Sequence, residues 1–281
     1  MSNKKKGSSK NQIITFIIVV VVVIILMGTL IFFALHNKVS TTPSSLQKYD
    51  NKSVSSSVLS KISNISLISI EASLASSNVV PNKIVPITNG KILYKNKLPR
   101  IVYIGADYCP YCAAERWAIV TALSKFGTFR KLHYMTSSAS DVYANTPTFT
   151  FYRAIYKSKY IDFTPVETQT NQPNATGSGY LALMKPSSFE LNLFNTYDNT
   201  PYVSSSSAGS IPFIDIGGKY LSVGAQYNPS ILKGLDWNGI LSDISNSNNK
   251  VSENILSSAA YLTKYICKIT NGKPQKVCNK I

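Results

Sequence analysis

Residues 104–117 read IGADYCPYCAAERW, and the fold turns on how this stretch is understood. It begins inside RIVYIG (Arg100–Gly105), a short apolar, β-branched run of the kind that makes a strand buried on both faces. The residues after Cys109 carry the marks of a helix. Pro110 suits the first helical position, Glu115 lies in the early turns, Lys125 in the last turn, and Gly127 stops it. Trp117, Val120, Leu123 and Phe126 recur at helical spacing and predict a core stripe rather than a cofactor box.

The two cysteines take their chemistry from that geometry. With Cys109 as the cap residue and Pro110 first in the helix, Cys112 is third, and its backbone N–H points back at the Cys109 sulfur. The helix dipole adds partial positive charge at the same point. Both effects favour the thiolate, so Cys109 is expected to attack and Cys112 to resolve the mixed disulfide.

Two rival readings carry less. A closed zinc site needs four ligands, and the remaining candidates, Cys267, Cys278, His36 and His133, include no second C-x-x-C. A purely structural bridge between Cys109 and Cys112 closes so short a loop that it adds little stability. The expected chemistry is therefore redox, with no metal and no cofactor. Tyr108, Pro110 and Tyr111 are expected at the rim where substrate lies. Asp107 reads as a capping or loop residue, with proton shuttling as the alternative. Glu115 reads as a dipole partner able to influence Cys112, and His133 as a packed strand residue.

Upstream, residues 13–35 (IITFIIVVVVVIILMGTLIFFAL) carry no charge. As a helix they span roughly 34 Å, enough to cross a hydrocarbon core of about 30 Å. Lys4, Lys5, Lys6 and Lys10 precede the run and only Lys38 follows closely, so the 1–12 terminus is expected inside the cell and the rest outside. Residues 36–80 are rich in Ser, Thr and Asn and read as a solvated stalk, with one short helix or strand near 58–75.

The net charge of +16 comes from 29 Lys and Arg against 13 Asp and Glu. The cations are scattered rather than run together, which argues against nucleic acid as a partner. Charged residues make up 15% of the chain, below the usual quarter, and the missing ones are mostly acidic. That composition is consistent with an acidic exterior.

The body runs over 81–247. KLHYMTSS predicts a second strand, and TFTFYRA with SKYIDF an added pair of strands. Residues 165–208 read as a mostly helical stretch with exposed loops, within an insertion over about 137–208. SIPFIDIGGKYLSVGA predicts two strands around a tight Gly217-Gly218 hairpin, and a helix from about Pro229 to Ile244 closes the body.

Taken together, the buried strand, C-P-Y-C at a helix start, a later x-Pro hairpin and a final helix resemble the thioredoxin superfamily. C-P-Y-C is of the glutaredoxin type, and the layout is similar to bacterial periplasmic disulfide oxidoreductases. GADYCPYCAAERWA, IPFIDIGGKY and a C-terminal cysteine pair more closely resemble an uncharacterised family of membrane-anchored thioredoxin-like proteins of archaea and bacteria. The resemblance covers about 81–281 and implies an α/β fold, a central mixed sheet flanked by helices. It also implies a cis-proline opposite the cysteines, with the residue before it binding substrate through its backbone. Pro212, after Ile211, fits that role better than its competitor Thr146-Pro147, because a hairpin and a closing helix follow it.

Residues 248–281 complete the chain. Ile255, Ala259, Leu262 and Ile266 share one face of an amphipathic helix over 251–269. In an oxidising exterior, Cys267 and Cys278 are expected to form a disulfide that pins the tail, a shuttle pair serving Cys109 and Cys112 being the alternative. The whole reads as a single-pass, outward-facing thiol-disulfide oxidoreductase of exported proteins. It would meet the bilayer through 13–35 and be recharged by a membrane or soluble redox partner. The other classes in view are a thioredoxin-fold binding or assembly module with permanently bridged cysteines, and a metal-delivery protein.

Overall fold

A computed structural model describes residues 14, 15, 18, 46, 48–75, 83–246 and 249–281. The expected membrane segment 13–35 lies outside the described residues, apart from 14, 15 and 18. The chain divides into two units, and all the elements named here belong to the second, Thr41–Ile281. Among the described residues no single helix is long and apolar enough to cross a membrane.

Two short helices come first, α1 (Ser56–Ser63) and α2 (Leu67–Ala72). They lie near 58–75, where one short helix or strand is expected; there are two helices, and they are packed rather than solvated. Val58, Ile62 and Ile70 are buried in the main core, and the serines act as helix caps: Ser55 accepts from the Val58 N–H and Ser66 from the Ser69 N–H. Lys125 Nζ holds the connection by donating to the Ser63 and Ile65 carbonyls at 2.8 and 2.6 Å.

Then come β1 (Val85–Pro86), β2 (Tyr94–Lys95) and β3 (Leu98–Gly105), followed by α3 (Pro110–Leu123). From Ile101 onward β3 is buried at every position, as its apolar, β-branched run requires. Four strands follow: β4 (Gly127–Arg130), β5 (His133–Thr136), β6 (Pro147–Thr150) and β7 (Ile155–Ser158). They form two small antiparallel ladders, β4 with β7 and β5 with β6.

β8 (Asp162–Glu167) is not part of an added hairpin. It runs parallel to β3, from Arg100↔Asp162 to Gly105↔Glu167. After it stand the hairpin strands β9 (Gln169–Pro173) and β10 (Tyr180–Ala182), then helix α4 (Ser188–Tyr197). Residues 165–208 are therefore not mostly helical, and α4 is the one α-helix in them. QTNQP looks like loop by composition, but it pairs with YLA of the apolar run GYLALM.

β11 (Phe213–Ile216) and β12 (Tyr220–Val223) complete the main sheet, whose order is β1-β12-β11-β3, with β2 and β8 both on the far side of β3. All its pairings are antiparallel except β3 with β8. At the hairpin, Gly217 and Gly218 both have φ of 68°. A Cβ at Gly218 would stand 2.3 Å from the Lys91 carbonyl, so the turn requires glycine there.

The closing helix is broken in two. Pro229–Leu232 makes a 3-10 turn, Gly234 adopts φ of 79°, and α5 (Trp237–Ile244) restarts with Asp236 capping the Gly239 N–H. α6 (Lys250–Ile269) and the one-turn α7 (Gln275–Cys278) finish the chain. The faces of β3 separate the core: Ile101 and Tyr103 pack with α3 and α6, while Val102 and Ile104 pack with Val166, Leu193 of α4 and Phe213. The result is a mixed sheet with helices on both faces.

Candidate functional site

β3 ends at Gly105, the chain turns through Ala106–Tyr108, and α3 opens directly under the turn. Cys109 is its cap residue, with extended backbone (φ −73°, ψ 119°), and Pro110 is the first helical residue. The Cys112 N–H donates to the Cys109 sulfur at 3.2 Å. On the other side, the Cys109 thiol donates to the Ile211 carbonyl at 3.8 Å. The Ile211–Pro212 bond is cis, and Thr146–Pro147 is not among the cis bonds of the described residues.

Both thiols are free, and they differ sharply. The Cys112 thiol hydrogen-bonds to Cys109 and holds the Cys109 pKa below the ordinary thiol range; burial opposes this, and the Cys112 N–H and the Arg116 charge reinforce it. Burial pushes the Cys112 thiol well up, and the bond it gives to Cys109 raises it further. Of the two thiols, Cys109 is therefore the easier to ionise. Cys109 is 5% exposed and Cys112 fully enclosed, so access to the reactive sulfur is narrow.

Beneath the turn lies a cluster of buried charges. Arg116 donates from Nε to Glu167 Oε1 at 2.9 Å and from Nη2 to Glu167 Oε2 at 2.6 Å and the Ala106 carbonyl at 2.7 Å. Asp107 Oδ1 stands 3.5 Å from Arg116 Nη2 without a hydrogen bond. Burial, then the Glu167 charge, push the Asp107 carboxyl up to about 7 against the pull of Arg116. Asp107 is a turn residue, as expected, but its carboxyl is buried beside Arg116 and Glu167.

Sequence reasoning passed over both Arg116 and Glu167. Arg116 had a signal, since it follows Cys112 by four residues and shares its helix face. Glu167 had none: it lies 51 residues from Arg116 and arrives through β8.

Glu115 faces elsewhere. Its Oε2 accepts from the Gln226 N–H at 2.9 Å and its Oε1 from the Ser258 hydroxyl at 3.0 Å, so it ties α3 to α6 and to the loop after β12. It is not a first-turn dipole partner. His133 is half-buried, its Nε2 3.3 Å from the Ser53 hydroxyl. Trp117 belongs to the core and donates its indole N–H to the Pro147 carbonyl at 2.9 Å.

Around the sulfur the rim is aromatic. Tyr108 stacks on Tyr180 of β10 with centroids 4.2 Å apart and planes 5° from parallel. Tyr111, 39% exposed, meets the Tyr143 ring edge-on at 5.8 Å. Pro110 is buried. Backbone hydrogen bonds fasten both neighbouring loops to the cysteine turn: Ser138 N–H to the Tyr108 carbonyl, Asp107 N–H to that of Gln169, and Thr168 N–H to that of Gly105.

Cys267 and Cys278 form a disulfide that joins α6 to α7. Tyr265 packs on Tyr220, and a Cβ at Gly217 would meet Ile269 at 3.0 Å, so this end of α6 lies by the β11–β12 hairpin. That is the end of the sheet away from Cys109. Among the described residues no group of three or more His, Cys, Asp or Glu could hold a metal ion.

One family model, described as a domain of unknown function (DUF929), matches residues 83–268, more than half of the chain. The chain belongs to the DUF929 family. No curated protein and no solved structure matches it. The match takes in the whole main sheet, both cysteines of the site and α6 up to Lys268, so the DUF929 domain contains the candidate site complete.

Proposed function

We propose that this chain is a thioredoxin-like thiol-disulfide oxidoreductase, anchored in the membrane through residues 13–35 and acting outside the cell on disulfides of exported proteins. The thioredoxin-like part is supported by the strand order β8-β3-β11-β12, parallel only between β3 and β8, with the cysteines at the start of the helix after the central strand. The Cys267–Cys278 disulfide fits an oxidising compartment. The 13–35 run and its flanking lysines support the anchor.

The observation that carries the chemistry is the bond from the Cys112 N–H to the Cys109 sulfur, with the opposed shifts of the two thiols. In the dithiol form, the Cys109 thiolate attacks a substrate disulfide; a Cys109–substrate S–S bond forms, the substrate bond breaks, and one substrate thiolate leaves and takes a proton. Cys112 then gives up its proton and attacks Cys109. The second substrate thiolate leaves protonated, and the chain holds a Cys109–Cys112 disulfide. Two electrons and two protons have passed to the substrate. A dithiol partner restores the chain by the same steps, and run backward they oxidise a substrate dithiol, the direction following from the relative reduction potentials.

The test is Cys112→Ala. The variant accumulates substrate proteins disulfide-linked to Cys109, released by dithiothreitol, and the double variant lacking Cys109 accumulates none. Absence of any adduct in the single variant overturns the reading. One observation favours a second reading, a binding or assembly module with permanently bridged cysteines: Cys109 is only 5% exposed. The reduction potential separates them. Near or above about −200 mV it indicates an oxidant, and well below about −300 mV a permanent bond.

A further inference from the structure

None of the chain's 29 Lys and Arg residues falls within 101–115, 132–152, 160–184 or 186–218. These four stretches supply Tyr108, Tyr111, Tyr143, Tyr180 and Ile211 around Cys109, with Arg116 buried beneath them. Residues 168–184 and 199–214 carry no charge of either sign, and Asp141 is the single charged residue between 134 and 152. In a chain of net charge +16, the rim of the sulfur is electrically almost blank.

That rim is also apolar and exposed. On one side stand Tyr111 and Tyr143, with Val142 72% exposed beside them; on the other is the Tyr108–Tyr180 stack. These two walls belong to the loop between β5 and β6 and to the β9–β10 hairpin. The Asn171 side chain donates to the Thr136 carbonyl at 3.0 Å and ties the second wall to the first. Walls fastened in this way are preorganised, so little ordering cost is left for the moment of binding.

Resting on the oxidoreductase reading, we infer that the two walls select an extended, uncharged peptide segment with an aromatic or aliphatic residue beside its cysteine, and that Tyr180 is the specificity-determining residue. Charge complementarity fixes this occupant. An acidic segment, steered in by the positive chain, finds only Lys233, which lines the hollow shared by Val142 and Tyr143, and a basic one finds only Asp141. An apolar neighbour of the reacting cysteine gains contact with the aromatic rings and with Val142, surface that is otherwise in water.

The experiment uses the full chain and four disulfides: peptides of equal length whose cysteines are flanked by Leu and Tyr, by Ser and Gly, or by Glu, and the small molecule hydroxyethyl disulfide. The Leu/Tyr peptide is expected to react with a kcat/KM about tenfold above the Ser/Gly peptide, the size of a well-formed aromatic contact. Tyr180→Ala is expected to erase most of that ratio through KM, and Tyr180→Phe to keep it. Equal rates for all three peptides, a Glu-flanked peptide that reacts fastest, or a ratio unmoved by Tyr180→Ala overturns the inference. A wild-type chain that reacts with none of the four sinks the oxidoreductase reading instead. Direct binding of serine-substituted versions of the peptides then decides the surface by itself: preference for the Leu/Tyr peptide upholds it, and no preference overturns it.

Discussion

Arg116 and Glu167 face each other as a two-pronged pair at 2.9 and 2.6 Å, with neither side chain open to solvent, directly under the turn that carries Cys109. The pair joins the helix of the site to the one strand parallel to β3. It also sets a positive charge where the Cys109 thiolate benefits from it. A buried pair of this kind is costly to break from one side only.

Arg116→Met is therefore expected to destabilise the chain by about 3–5 kcal/mol, and Glu167→Gln by a comparable amount, because each leaves a buried charge without the two-pronged partner that offset its desolvation. Replacing both with apolar residues is expected to cost much less. Urea unfolding of the three variants checks this, and a double variant as unstable as the sum of the singles contradicts it.

The difference between the thiols predicts their alkylation. Iodoacetamide is expected to label Cys109 with a pH midpoint below the ordinary value near 8.5, and to leave Cys112 unlabelled in the native chain. Mass spectrometry across pH 5–10 reads both. A Cys109 midpoint at or above 8.5 removes the basis for calling it the attacking sulfur.

Two buried carboxyls outside the site predict how stability depends on pH. Burial pushes Glu115 and Asp215 up to about 7 each, whereas in the unfolded chain they ionise near 4. Between these values the folded state holds protons that the unfolded state has released, so stability falls as pH rises from about 4 to about 7. Chemical unfolding is expected to show a chain more stable at pH 4.5 than at pH 7.5 by a few kcal/mol. Glu115→Gln with Asp215→Asn is expected to reduce the slope, leaving the part that Asp107 and Asp198 contribute.

The disulfide between Cys267 and Cys278 closes a loop with a sequence separation of 11. Removing it with serine at both positions is expected to cost about 2–3 kcal/mol by the chain-entropy argument. It is expected to leave the Cys109 alkylation profile unchanged, whereas a shuttle role would alter turnover with a dithiol partner.

Local signals carried the helix of the site and its surroundings. Pro110 at the first helical position, the Trp117 stripe and the glycines of the hairpin each act within a few residues, and a chain reader sees them. What escaped involves partners far apart. β8 has only Phe163 and Val166 to mark it as central, and its identity comes from pairing with a strand 62 residues earlier. The serines near α1 and α2 look like linker because capping and solvation use the same residue. Glu167 is invisible for the same reason as β8. The split in the closing helix was legible at Gly234 and Asp236.

Ile211 touches Cys109 at one end of β11, and Gly217 meets Ile269, two residues past Cys267, at the other. Five residues lie between them, four of them the strand β11, so the two ends are at most about 20 Å apart. On the proposed function, that separation would let the Cys109–Cys112 couple change its potential without loosening the Cys267–Cys278 bridge that ties down the tail.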